Sequence, residues 1–480
     1  MTGLYRYDRG DGGVEIEIDR EGTATLTEAV VEAVARAIAT RRLLPGARLP
    51  SIRALAAKEG LSKSTVVEAY DRLVASGRVA SRPGSGFFVA SRPTVEIADP
   101  LPHAERDIDP KWVMRSVLEL DDDVLKPGCG WLPAEWMEGS GLRKALRALA
   151  RDPAARLYDY AHPLGFPPLR RVLAQRAAER GIQVAPHHVV LTDSGSAAID
   201  LAIRLLVRPG DAVFVDDPCY YNFRAKLALY GARIVGIPFR PDGPDPEIFA
   251  REAATHRPVA WLTNSGPHNP TGWRISAAVA HRLLSIAAAH DIAVVEDDVF
   301  GDFESRPAPR LAALDGLDRV ILLGSFSKTL SSASRCGWMM ARGDRVERLV
   351  DLKLATTFVN DDLAAQLVHR MLMDGSYRKH VEDLRRRLAA ARDRVARELE
   401  AVGLRPLIEG EAGLFLWAEL PEGVDAVEVS RLAAGEGIVL APGNVFSPSQ
   451  SAGRFLRFNV AHTVHRRIFE VLAAAVRRRM

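Results

Sequence analysis

Six short apolar runs punctuate the chain between residues 212 and 341: AVFVDD, RIVGIPF, PVAWLTN, IAVVEDD, RVILLGS and CGWMMA. Stretches with helical periodicity lie between them. Continuous apolar runs of this length are typical of strands covered on both faces, and their alternation with helices is what parallel crossover connections require. The pattern predicts an α/β domain on a largely parallel sheet. From about residue 375 the texture changes. A long charged helix, YRKHVEDLRRRLAAARDRVARELEAV, leads into the strand-like runs GLFLWAEL and FLRFNVA, as in a smaller α+β subdomain over about 375–480.

The chain has 480 residues, enough for more than one domain. Its formal net charge of +3 gives no global field, so any surface for nucleic acid must be local. Cys129, Cys219 and Cys336 are far apart and not in metal spacing. That pattern implies a reducing interior, no disulfide framework and no metal site. The opening MTGLYRYDRGDGG lacks the apolar core of a signal peptide, and no apolar run approaches the ~18 residues of a membrane span. The expectation is a cytoplasmic protein with no membrane partner.

The local basic surface is near the front. Leu26, Val30, Val34 and Ile38 repeat at helical spacing, and Pro45-Gly46 breaks the helix. Ser51 caps a short helix that ends at Gly60. Ser62 caps a second, KSTVVEAYDRLVASG, and 78-RVASRPGSGFFVA-90 reads as two strands around a turn. Eleven basic residues and three acidic ones lie between Arg36 and Arg92, a local balance of +8. A concentrated basic face of this kind is what phosphate binding needs. Short polar side chains at the start of the second helix can face DNA, and Arg82 can reach a phosphate or the minor groove. The runs LPSIRALA, LSKSTVVEAYDRL, ASGRV and RPGSGFFV resemble the winged helix-turn-helix of the GntR family. The candidate DNA-facing residues are Ser51, Arg53, Ser62, Lys63, Ser64, Thr65, Tyr70, Arg82 and Gly84. The implied division is a DNA-binding domain over 22–91, a proline-rich linker over 92–112 and a larger domain over 113–480.

Within the larger domain, 325-SFSKTLSSASR-335 gathers an amine, several hydroxyls and a guanidinium. A lysine amine can form a Schiff base with an aldehyde, and pyridoxal 5′-phosphate (PLP) is the common cofactor that presents one. That cofactor also needs an anchor for its phosphate, a carboxylate for its pyridine nitrogen, a donor to its phenolic oxygen and a flat group over its ring. Ser325, Ser327 and Arg335 can bind the phosphate while Lys328 forms the imine. The turn Gly195-Ser196-Ala197 follows a strand, opens a helix and can aim N–H groups at the same phosphate. One of the acids ending 292-IAVVEDD-298 can pair with the pyridine nitrogen. Asn269 of NPTG can reach the phenolic oxygen, and Tyr220 can stack on the ring.

In order and spacing these elements resemble fold-type I aminotransferases over about residues 115–480. The resemblance implies Lys328 as the Schiff-base lysine and Asp297 as the pyridinium partner. It also implies Asn269 at the phenolic oxygen, Tyr220 on the ring, and Ser196, Ala197, Ser325, Ser327 and Arg335 at the phosphate. Arg457 matches the family's substrate-carboxylate arginine, and Tyr160 a tyrosine that reaches the neighbouring subunit's cofactor. One departure stands out. Val299 and Phe300 occupy the positions where the family carries a tyrosine that donates to the phenolic oxygen. This puts efficient transamination in doubt more than cofactor binding.

A GntR-type reader joined to an aminotransferase-like domain resembles the MocR/GabR family of bacterial regulators. The resemblance implies a homodimer that binds operator DNA and senses PLP, or an amine or amino acid, through aldimine chemistry at Lys328. The alternatives are an aminotransferase with a fused DNA-binding domain and a DNA-binding dimer with a dead cofactor pocket. Effector, operator and direction of regulation are not encoded in any legible motif.

Overall fold

The computed structural model describes residue 18 and residues 25–90, 124–137, 139–155, 158–407 and 413–478. The expected linker over 92–112 lies outside these residues. By contact density the chain divides into two compact units, 1–104 and 105–480.

The first unit holds three helices, α1 (Leu26–Ala39), α2 (Ile52–Glu59) and α3 (Lys63–Ala75), and a hairpin of β1 (Val79–Arg82) with β2 (Gly86–Val89). Side chains define the helix starts. Thr25 and Glu28 form a reciprocal capping box, Ser51 accepts from the Ala54 amide, and Ser62 accepts from the Thr65 amide. The periodic residues Val30, Val34, Leu55, Val66, Leu73 and Val89 close a core of their own. Helix α1 spans the whole periodic run and stops at Ala39, and Leu43 returns to the core from the following turn.

The second unit is built on a mixed sheet in the order β3-β10-β9-β8-β7-β4-β5, with the short β6 (Gly243–Pro244) paired to the edge of β5. The strands are β3 (Val189–Thr192), β4 (Ala212–Asp217), β5 (Arg233–Arg240), β7 (Ala260–Thr263), β8 (Ala293–Asp297), β9 (Val320–Ser325) and β10 (Gly337–Met340). Strands β5, β4, β7, β8 and β9 run parallel. Strand β10 is antiparallel to both neighbours, β3 and β9. Along a strand, side chains alternate between two cores. Phe214 and Val294 join one cluster, whereas Val213, Val215 and Val295 join the other. The sheet therefore has apolar layers on both faces, which is why its strands read as unbroken apolar runs.

A four-stranded antiparallel sheet in the order β11-β12-β14-β13 forms the smaller subdomain. Its strands are β11 (Arg405–Leu407), β12 (Phe415–Glu419), β13 (Ala441–Pro442) and β14 (Phe455–Asn459). The helices Ser376–Ala401, Ala426–Gly435 and Arg466–Arg477 accompany it. Among the described residues no helix is long and apolar enough to cross a membrane.

Candidate cofactor site and DNA-reading surface

In open α/β sheets, ligand sites form beyond the carboxyl ends of the parallel strands. Here β4, β7, β8 and β9 deliver Tyr220, Asn269, Asp297 and Lys328 in this way, and the turn after β3 delivers Ser194, Gly195 and Ser196. All line one cavity of about 510 Å³, together with Ser325, Ser327, Arg335 and, from the small subdomain, Arg457.

The three acids ending β8 have different environments. Glu296 accepts from the amides of Leu311 and Ala312, both at 2.8 Å, and from Ser265. Asp298 is ion-paired with Arg180 at 2.9 Å and Arg310 at 2.7 Å. Asp297 lines the cavity and has no ion-pair partner among the described residues; its carboxylate accepts from the Val299 amide at 3.0 Å. Burial pushes Asp297 up to about 7, against the opposing pull of that amide. Burial also holds the Lys328 amine down at about 8. Its Nζ donates to the backbone carbonyl of Gly130 at 2.7 Å.

At one end of the cavity Ser325 donates to Ser327 Oγ at 3.0 Å. Ser196 lies 3.5 Å from the Asn222 amide nitrogen, and Arg335 is exposed with no ion-pair partner among the described residues. These groups, at the start of the helix Gly195–Leu206, suit a phosphate. Ala197 does not line the cavity, and its amide donates to Ser194 Oγ at 3.0 Å. The Ala197 amide thus takes part in the helix cap, and Ser194 and Gly195 face the cavity beside Ser196.

Arg457 is wholly buried. Its Nη1 donates to Asn269 Oδ1 at 2.8 Å and its Nη2 to the Gly128 carbonyl at 2.6 Å. Its guanidinium lies over Phe415 and Phe446, and burial lowers its proton affinity. Tyr220 packs against Tyr221 and Phe223. Tyr160 is not part of this chain's own cavity; it is 76% exposed and meets Phe358 edge-on. Val299 and Phe300 both line the cavity and bring no hydroxyl. Gly130, Trp131, Tyr221 and Asn222 also line it. Gly130 and Trp131 are not legible as site residues in the sequence, because long-range folding alone brings that segment there, whereas Tyr221 and Asn222 simply adjoin Tyr220.

In the first unit Ser51, Arg53, Ser62, Lys63, Ser64, Arg82 and Gly84 are exposed and Thr65 is half-buried. Ser62 Oγ also lies 2.7 Å from Ser64 Oγ and 2.8 Å from Thr65 Oγ1. The Arg82 guanidinium lies over Phe88. Tyr70 corrects the expectation of a DNA contact. It has no exposed surface, its hydroxyl donates to the Pro50 carbonyl at 2.9 Å, and its ring packs edge-on against Phe87. It is a core residue because it falls on the apolar face of α3.

Comparison with known proteins agrees with this division. Residues 26–89 match the bacterial regulatory proteins of the gntR family. Residues 139–474 match aminotransferase class I and II, a fold that typically binds PLP. The HTH-type transcriptional regulator YdcR of Escherichia coli is 31% identical over 435 residues, covering 87% of this chain and 91% of that protein. The probable rhizopine catabolism regulatory protein MocR of Rhizobium meliloti is 28% identical, with 88% of each chain covered. Among solved structures, the α-aminoadipate aminotransferase LysN of Thermus thermophilus superposes with a TM-score of 0.69 at 25% identity. It covers 76% of this chain and 94% of that one. The kynurenine aminotransferase of Pyrococcus horikoshii gives 0.70 at 25% identity, covering 78% and 95%. This chain belongs to the MocR-type transcriptional regulators, in which a gntR-family helix-turn-helix reader is fused to a class I/II aminotransferase domain.

Proposed function

We propose that this regulator takes up PLP at Lys328 and changes its hold on operator DNA in response to the cofactor or to a small amine or amino acid. The observation that carries the reading is Asp297. Among the described residues it is the one acid of the β8 end with neither an ion pair nor paired backbone donors, and it faces the same cavity as Lys328 and Arg335. A buried carboxylate in that setting suits a protonated pyridine nitrogen.

The other residues fit the same group. Asn269 gives its Oδ1 to Arg457, which leaves its Nδ2 to donate to a phenolic oxygen. Tyr220 supplies a ring to stack. Ser196, Ser325, Ser327 and Arg335 offer hydroxyls and a bidentate cation to a phosphate. Arg457 offers its charge to an effector carboxylate. When bound, the cofactor supplies an aldehyde carbon open to amines and an electron-withdrawing ring. Lys328 supplies the amine that holds it covalently. The Val299 and Phe300 side chains withhold the hydroxyl that efficient transamination would use, so sensing is favoured over turnover.

A homodimer follows from the same reading. Tyr160 stands exposed outside its own cavity, where a second copy could receive it. Two readers in one dimer would then contact two half-sites. The division into a reader over 22–91 and a cofactor domain from 113 onward belongs to this proposal.

The test is an absorption titration of the full chain with PLP, followed by borohydride reduction and mass measurement. The parent protein should acquire the cofactor's mass, and Lys328→Ala should not. DNA affinity should then differ with cofactor and across an amino-acid panel. A colourless parent of unchanged mass, or DNA affinity indifferent to every addition, would overturn the proposal.

A further inference from the structure

We infer that residues 124–132 form a strap that carries the covalent state of Lys328 towards the DNA reader, and that Asn459 is the residue that positions it. The inference rests on the reading of Lys328 as the cofactor-capturing residue. In the sequence, residues 91–123 are all that separates this strap from the end of the reader hairpin.

The strap is laid along the small subdomain. The Leu125 amide donates to Gly437 at 3.0 Å, the Val439 amide to Leu125 at 2.8 Å and the Gly128 amide to Val439 at 2.9 Å. Gly128 is required by close approach. A Cβ there would lie 2.6 Å from the backbone carbon of Leu440 and 2.7 Å from the Ala441 nitrogen. Asn459 holds the far half. Its backbone amide donates to Pro127 at 2.7 Å. Its side-chain amide donates to the carbonyls of Trp131 at 2.7 Å and Cys129 at 3.2 Å, and its Oδ1 accepts from Ala461 at 3.1 Å. Asparagine can do this because one planar group carries two N–H donors and an acceptor. Its side chain has no exposure.

Those contacts join the strap to the small subdomain and do not involve the lysine amine. The contact from Lys328 Nζ to Gly130 is different, because it joins the strap to the large sheet and depends on the amine. When Lys328 condenses with an aldehyde, its nitrogen forms a double bond to the aldehyde carbon. Both amine hydrogens leave with the aldehyde oxygen as water. The nitrogen can then hold at most one proton, in the plane of the new double bond, and the donation to Gly130 ceases. An effector amine that takes over the carbon returns two hydrogens to the Lys328 nitrogen, and the donation can form again. Losing that donor removes the bond between the strap and the lysine-bearing loop, so the strap is held differently in the two states. A device of this kind couples two sites.

Hydrogen exchange of the full chain reads the strap directly. Amides of 124–132 would be followed in cofactor-free protein, in protein loaded with PLP, and in loaded protein treated with aminooxyacetate, which removes the carbon from Lys328. Exchange should rise at least five-fold on loading and return towards the cofactor-free rate after aminooxyacetate. Capture with unchanged strap exchange overturns this inference alone; absence of capture overturns the proposed function as well. A second arm uses Asn459→Ser and a DNA fragment selected in vitro on the cofactor-free protein. The variant should still acquire the cofactor's mass but lose the change in DNA affinity that loading produces in the parent. A retained change overturns the positioning role. If the variant does not fold, the exchange measurement on the parent decides.

Discussion

Arg457 and Asn269 are joined by a buried 2.8 Å hydrogen bond that ties strand β14 of the small subdomain to the turn following β7. It leaves one face of the Asn269 amide available to the cavity and fixes the guanidinium between Phe415 and Phe446. Arg457→Lys keeps the charge but removes the fork. Asn269 Oδ1 and the Gly128 carbonyl then compete for one compact donor. Loss of about 1–3 kcal/mol of stability is expected, visible by calorimetry of the larger unit. Binding of carboxylated amines should weaken at least ten-fold, while binding of methylamine should hardly change. Equal losses for both ligands would show that Arg457 acts only in folding.

The Lys328 amine should control the speed of cofactor capture through its protonation. Burial lowers it from 10.5 to about 8, so the reactive neutral form gains ground as pH rises. About 1% is neutral at pH 6 and about half at pH 8, because each pH unit below the pKa is a factor of ten. Stopped-flow absorbance should show capture accelerating roughly 50-fold between those values and levelling above pH 9. The stability consequence has a definite sign. The depressed basicity disfavours the folded state while the unfolded lysine is charged, and this penalty fades as pH rises from about 8 to 10.5. A rate flat from pH 6 to 8 would place the controlling proton elsewhere.

The DNA-reading surface makes a separable prediction. Lys63 and Arg53 are exposed near the starts of α3 and α2. Replacing either with alanine should weaken DNA binding and lower the magnitude of the salt slope by about 0.9 for each phosphate left without its cation. Tyr70→Phe should behave differently. It removes the bond to Pro50 and should cost about 1 kcal/mol of reader stability, without altering the salt slope. A slope change in Tyr70→Phe would restore that tyrosine as a DNA-facing residue.

The contrast between Lys63 and Tyr70 shows what is legible in the sequence. Strand runs and helix caps are local, so spacing locates them, whereas the roles expected of Asn269, Asp297 and Lys328 come from the resemblance to fold-type I aminotransferases. Tyr70 misleads because its polar tip draws attention away from its position on the apolar face of α3. The strap is not reachable by any local rule. Gly130 meets Lys328 across 198 residues, and Asn459 meets Trp131 across 328. Such pairs exist only once the small subdomain has closed over the sheet.

The missing hydroxyl at the end of β8 offers the sharpest test of sensor against enzyme. Phe300 is buried, edge-on to Phe415 and stacked near Phe303, so its ring is fixed by packing. Val299 is half-buried and lines the cavity. Val299→Tyr would add a donor on the phenolic side of the site. In the transition state of proton transfer, a well-placed donor is worth roughly 10²–10³ in rate. Multiple turnovers between an amino acid and a keto acid should therefore rise at least ten-fold over the parent, measured as keto-acid formed. Phe300→Tyr, whose hydroxyl packing would steer into the aromatic cluster, should gain less. If the parent already turns over as fast as Val299→Tyr, the absent tyrosine is not what separates this regulator from an aminotransferase.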